Sequence, residues 1–232
     1  MLASPLAFAG GRAPVVMRSG NVFKYVHSKQ RCADMGKLRR HLEELLPREL
    51  MSCAAVPDVL VEDGELTVHV SPYIGDTLAN AAPSIGDWCA MFDTGLRLFT
   101  QLACARIFHN DVHGRNLLVR IPEVVSACCA LSVIDWDEAT FGIPRESAAA
   151  NNEVGDHMGD AAAFAGVMSA VAPTLHLAGL ASVVSVHLGH GNRNPELARE
   201  LQSWDPFFAG GLPALDTLLD AWTPRRARSC TA

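Results

Sequence analysis

Two short stretches of this chain carry oxygen-bearing side chains at spacings that could handle a hydroxyl and a metal ion. The first is Phe108-His109-Asn110-Asp111-Val112-His113-Gly114-Arg115-Asn116-Leu117-Leu118-Val119. An Asp on a rigid loop can orient a hydroxyl and accept its proton. An Asn five residues later can bind a metal through its amide oxygen, and the apolar run after it would fix it against a core. The second is Leu131-Ser132-Val133-Ile134-Asp135-Trp136-Asp137-Glu138, where an apolar strand delivers Asp135 at its end. Oxygens on two neighbouring strand ends suit a magnesium ion shared with phosphates. Asp137 and Glu138 are read as mostly solvated or structural, because strand alternation need not aim them at the same ion.

The elements that must position these residues can be traced along the chain. Val15–Arg18 and Val22–Val26 read as strands joined by Ser19-Gly20-Asn21. Met35, Leu38, Leu42, Leu45 and Leu46 recur at helical spacing until Pro47. A second hairpin follows, Val59–Glu62 and Leu66–Val70 around Asp63-Gly64. Ser71 to Asp76 is rich in turn formers. A long helix then spans Ile85 to Ala103, Leu117–Ile121 and Leu131–Ile134 can pair as strands, and helix dominates from about Asp156.

The two stretches resemble the catalytic loop, H-R-D-x-x-x-x-N, and the metal-binding Asp-Phe-Gly region of the protein-kinase-like superfamily. The form D-V-H-G-R-N with I-D-W-D is more similar to the aminoglycoside phosphotransferase and choline kinase branch. That branch typically has His two residues after the catalytic Asp and I-D-W or I-D-F at the second site. The resemblance covers Val15 to Val171 and implies an α+β, two-lobed protein-kinase-like fold. A short, mostly β N-lobe (1–70), a hinge (71–76) and a mostly helical C-lobe (77–232) would form one domain.

By this resemblance Asp111 is the catalytic base, Asn116 and Asp135 bind Mg2+, and His109 is a packing residue of the loop. Lys24 is similar to the strand lysine that holds the α- and β-phosphates of ATP. Its expected salt-bridge partner on the following helix is Glu43, with Glu44 as the alternative. A helical wheel centred on Leu38, Leu42 and Leu45 places Glu43 nearer the buried edge. Val70 to Ile74, Tyr73 included, would receive adenine through backbone groups, and Asp76 would reach the ribose. Gly10-Gly11 stands where a phosphate-covering loop belongs, with little sequence before it for a first strand. Asp160 resembles the helix Asp that braces the catalytic loop, with Asp156 as runner-up. The Ala-Pro-Glu motif is missing from its expected place, since Ile143-Pro144-Arg145-Glu146 follows Asp135 too closely.

The implied reaction moves the γ-phosphoryl group of ATP to a hydroxyl of a protein Ser/Thr or of a small molecule. The poor glycine loop motivates the alternative, a pseudokinase that binds nucleotide or protein without turnover. Asn110 stands where many protein kinases have an Arg that pairs with a phosphorylated segment. The segment here holds Thr140, Ser147 and only Arg145 as a nearby cation. A site competent without phosphorylation is therefore expected.

Composition narrows the remaining classes. Apolar residues make up 49% and charged residues 19%, which excludes wholesale disorder. A formal charge of −6 argues against nucleic acid or an anionic membrane as partner. Arg225, Arg226 and Arg228 read as a solvated tail. The seven cysteines are scattered, odd in number and without a C-x-x-C pair, so neither a zinc site nor a disulfide framework is expected. His109 and His113 do not read as a helical zinc pair, because Asn110, Gly114 and Asn116 argue against helix there. The stretch Val171–Leu188 is broken by Pro173, His176, Gly179 and His187 and reads as buried helix rather than a membrane span. The opening MLASPLAFAGG lacks a basic region and a long apolar run, so a secretory signal is not expected there, and the cysteine pattern fits a reducing, intracellular, cytoplasmic setting. Nothing in the sequence marks an oligomeric state.

Overall fold

The computed structural model describes residues 6–8, 14–27, 34–62, 66–120, 131–141 and 159–189. The N-terminal part is an antiparallel sheet of five strands: β1 (Leu6–Phe8), β2 (Val15–Arg18), β3 (Asn21–His27), β4 (Asp58–Glu62) and β5 (Leu66–Pro72). Their order is β1-β2-β3-β5-β4. The β2–β3 hairpin turns on Ser19 and Gly20, with φ of 51° and 75°. Positive φ at both turn residues matches the right-handed twist of the strands it joins. A first strand is present after all: Leu6–Phe8 pairs with Val15–Met17. Gly10, Gly11, Asp63 and Gly64 lie outside the described residues.

Helix α1 (Met35–Leu45) starts at Asp34, whose carboxylate accepts the Lys37 N–H at 2.9 Å. Met35, Leu38 and Leu42 form its buried stripe, and Pro47 follows as expected. A short helix, α2 (Arg48–Met51), comes next. Its exit segment then docks on the second sheet, which comprises β6 (Gly75–Thr77), β7 (Leu117–Arg120) and β8 (Leu131–Val133) in that order. Val133 N–H donates to the Cys53 carbonyl at 2.7 Å, and Ala55 N–H to the Val133 carbonyl at 2.9 Å. This backbone clasp ties the region after α2 to the strand that leads into Asp135.

The core of the C-terminal part forms around α3 (Ile85–Cys104), α4 (Gly159–Ala170) and α5 (Leu175–Gly189). Ser84 caps α3 by accepting the Asp87 N–H. Trp88, Met91, Phe92, Leu96 and Phe99 repeat at three- and four-residue steps and are all buried. Phe164 of α4 packs against Phe92 and Phe99. Gly95 lets this happen, since a Cβ there would stand 2.1 Å from the tip of the Phe164 ring. The apolar stretch after Val171 is helical only from Leu175. Pro173 accounts for the late start, because it disfavours α-helical backbone at Ala172. Ser185 Oγ donates to the Ala162 carbonyl and Ser169 Oγ to the Ala178 carbonyl, pinning α4 to α5.

Candidate active site

Asp160, in the first turn of α4, fixes the backbone of the 108–116 loop. Its two oxygens accept the N–H groups of His109 at 2.6 Å and Asn110 at 3.1 Å. Burial pushes the Asp160 carboxyl up, and the two backbone donors oppose that rise. Asp156, the runner-up for this role, lies outside the described residues. The His109 ring is fully buried. Its Nε2–H donates to the Ile134 carbonyl at 2.9 Å, and its Nδ1 accepts the Asp111 N–H at 3.3 Å. The two partners define one neutral tautomer, and burial holds the ring pKa below its usual value. Trp136, also buried, meets this ring edge-on. One imidazole thus joins the two stretches that the sequence singles out.

Asn116 completes the junction. Its Nδ2 donates to the Asp111 carbonyl and to Asp111 Oδ2, both at 2.9 Å. Both partners are acceptors, so the amide orientation is fixed. Its backbone carbonyl takes the Ile134 N–H at 2.9 Å, which sets Asp135 beside it. Asp111 keeps 43% of its side chain exposed, and His113 Nε2 lies 3.5 Å from its Oδ2. Asn110 and Asp135 both have φ of 63°. Asn and Asp tolerate this left-handed backbone better than other side chains bearing a Cβ.

Lys24 reaches this junction from the other sheet. Its Nζ lies 2.5 Å from Asp135 Oδ1 and 2.7 Å from Asp137 Oδ2. Burial alone would lower the lysine pKa, but the two carboxylates together raise it. Glu43 does not take part: it is exposed on α1 and belongs to none of the ion pairs among the described residues. The helical wheel fails there because α1 buries only the narrow Met35-Leu38-Leu42 stripe. Glu44 is exposed as well and sits near His41.

The stretch expected to receive adenine is partly strand. Val70 and Ser71 still pair with β3. Tyr73 N–H donates to the Gly20 carbonyl at 2.8 Å, so that donor is committed to the sheet end rather than to a ligand. Tyr73 is 45% exposed. Asp76 is exposed on β6 opposite Val119.

No protein-family model matches the chain, and no curated protein does. Among solved structures, a crystal structure of the BubR1 kinase domain aligns over 97% of this chain and 80% of its own, with a TM-score of 0.50 and 14% identity. The chain has a kinase-like fold. The yeast RNA polymerase II CTD kinase complex CTDK-1 aligns over 61% of this chain and 48% of its own, with a TM-score of 0.40 and 15% identity. This chain thus spans about half the length of that one.

His69 escaped the sequence reading, as did the partners of Asp137. His69 is almost fully buried on β5, and of the two readings given for Asp137, solvated or structural, it takes the second: it is wedged between Lys24 and His69. Burial would raise the Asp137 carboxyl, yet His69 and Lys24 outweigh it and bring it to about 2. The signal for His69 was its place opposite Lys24, which requires the β3–β5 register to be known.

Proposed function

We propose that this chain is an ATP-dependent phosphotransferase that moves the γ-phosphoryl group of ATP to a hydroxyl. The observation that carries the reading is the convergence of Lys24, Asp111, Asn116 and Asp135. Lys24 touches Asp135, Asn116 bonds Asp111, and the Ile134–Asn116 backbone bond joins the two pairs. Phosphoryl transfer needs little covalent help from a protein. Positioning and charge neutralisation carry most of it.

Asp111 aligns the acceptor hydroxyl and takes its proton late in the transfer. Its exposure leaves room for that hydroxyl, and Asn116 holds the carboxylate in one orientation. Lys24 orients the α- and β-phosphates. Asn116 and Asp135 are the residues that would hold Mg2+, and the donor set fits. It offers one carboxylate and one amide oxygen, and Asp135 already accepts a cationic group in Lys24. When bound, the ion neutralises charge on the phosphates. His109, Trp136 and Asp160 keep the two loops in register. The I-D-W-D and D-V-H-G-R-N forms favour a relation to the aminoglycoside phosphotransferase and choline kinase branch, and with it a small-molecule acceptor over a protein Ser/Thr.

Thermal unfolding with ATP, with and without Mg2+, tests nucleotide binding. A ligand at one hundred times its Kd stabilises by about 2.7 kcal/mol. ATP consumption against a generic protein substrate and a panel of small hydroxyl compounds tests turnover. A magnesium-dependent shift with no consumption by any acceptor would favour the pseudokinase reading.

A further inference from the structure

The phosphate-orienting lysine of a kinase-like site must be held, because a free ammonium on a four-carbon stem samples many positions. The residue expected to hold it, Glu43, is exposed and paired with nothing that touches Lys24. We propose that Asp137 is the positioning residue for Lys24, with His69 as its backing. This rests on the phosphotransferase reading above and names a further part of the same site.

Three observations converge on it. The β3–β5 register makes Lys24 and His69 direct cross-strand partners on one face of the sheet. Asp137 spans both, with Oδ2 at 2.7 Å from Lys24 Nζ and Oδ1 at 3.2 Å from His69 Nδ1. The His69 contact is close but out of line for a well-formed hydrogen bond, and the buried Nδ1 has no other partner among the described residues. Asp137 also sits deeper than Asp135, with 16% of its side chain exposed against 32%. Asp135 is the acid assigned to the metal, so its hold on Lys24 is shared once the ion binds. Asp137 has no such second duty. The Trp136–Ala139 turn behind it is closed by a 3.0 Å backbone bond and seated by the buried Trp136 ring.

The arrangement has a mechanical consequence. The lysine anchor and the metal acid ride on the same four-residue stretch, Asp135 to Glu138. Their spacing is then set by one turn. It does not depend on a swing of α1, so no movement of that helix is needed to complete the site.

The test is a double-mutant cycle on the full chain, with Lys24→Ala, Asp137→Asn and the pair, read as kcat and as KM for ATP-Mg2+. Asp137→Asn keeps the shape of the side chain and should raise KM for ATP about tenfold, the scale of a coupled buried charge pair. On the Lys24→Ala background it should add little, and Asp137→Glu should recover part of the loss. His69→Gln should give a smaller change of the same kind. If Asp137→Asn costs as much without Lys24 as with it, or if Glu43→Gln raises KM as far as Asp137→Asn does, the assignment is overturned. If the wild-type chain binds ATP but does not turn over, the phosphotransferase reading fails on its own, and the same cycle read in ATP affinity still decides the role of Asp137. A wild-type chain that binds no ATP removes both.

Discussion

The Asp160 carboxylate accepts the backbone N–H of His109, 51 residues earlier in the chain, at 2.6 Å, and Asn110 donates to its other oxygen. Removing it leaves the part-buried His109 donor unpaired, at a cost of about 1–3 kcal/mol, while the exposed Asn110 donor can turn to water. Asp160→Ala should therefore cost about 2 kcal/mol, which for a chain of this size lowers Tm by roughly 4–8 °C. Asp160→Asn should recover only part, because its NH2 would face a backbone N–H. Circular dichroism melts of both variants check this. A drop of about 1 °C in Asp160→Ala would show that water replaces the carboxylate.

Gly95 offers a case where two effects of opposite sign compete. In an exposed helix, Gly→Ala stabilises by roughly 0.5–1 kcal/mol. At Gly95 the new methyl would meet the Phe164 ring, itself fully buried against Phe92 and Phe99. Overpacking of this kind costs about 1–3 kcal/mol. Gly95→Ala should thus destabilise, and Phe164→Leu in the same chain should restore part of the loss. Urea unfolding of the two single variants and the double one measures it.

The parts of the site that lie on continuous motifs were legible in the sequence. Asp111, Asn116, Asp135 and Asp160 come together because each sits at a fixed offset from an apolar run that becomes a strand or helix. The parts that depend on pairing between distant segments were not. The Lys24–His69 neighbourhood exists only through strand register, and the Asp137 wedge only through the turn after Asp135. Glu43 was misplaced for a related reason: a helical wheel shows which face is apolar, but not how much of it is covered. The first strand was missed because Leu6–Phe8 is three residues long and carries no alternation to read.

Glu138 and Thr140, in the segment after Asp135, are held by neutral hydrogen bonds. Asn110 Nδ2 donates to the Glu138 carbonyl at 2.9 Å and to Thr140 Oγ1 at 3.0 Å, and Phe108 and Thr140 exchange two backbone bonds at 2.8 Å. No phosphate is needed to order these contacts. Protein made in bacteria and treated with phosphatase should keep its full rate, and Thr140→Ala should keep most of it. Asn110→Ala should reduce it more, since it loses both bonds and places Ala at a φ of 63°. If phosphatase treatment and Thr140→Ala both abolished activity, a phosphorylation switch would replace this account. Ser147, the other hydroxyl of the segment, lies outside the described residues.

The most direct measurement compares ADP formation and ATP-Mg2+ affinity in the wild type, Asp111→Asn and Asp135→Asn. Asp111 is assigned to the acceptor and Asp135 to the metal, so their losses should differ in kind. Asp111→Asn should slow turnover by roughly 10²–10⁴-fold, the range for a general base, while ATP binds nearly as before. Asp135→Asn should weaken magnesium-dependent binding as well as turnover. Equal rates in all three proteins, or equal loss of binding in both variants, would contradict the account.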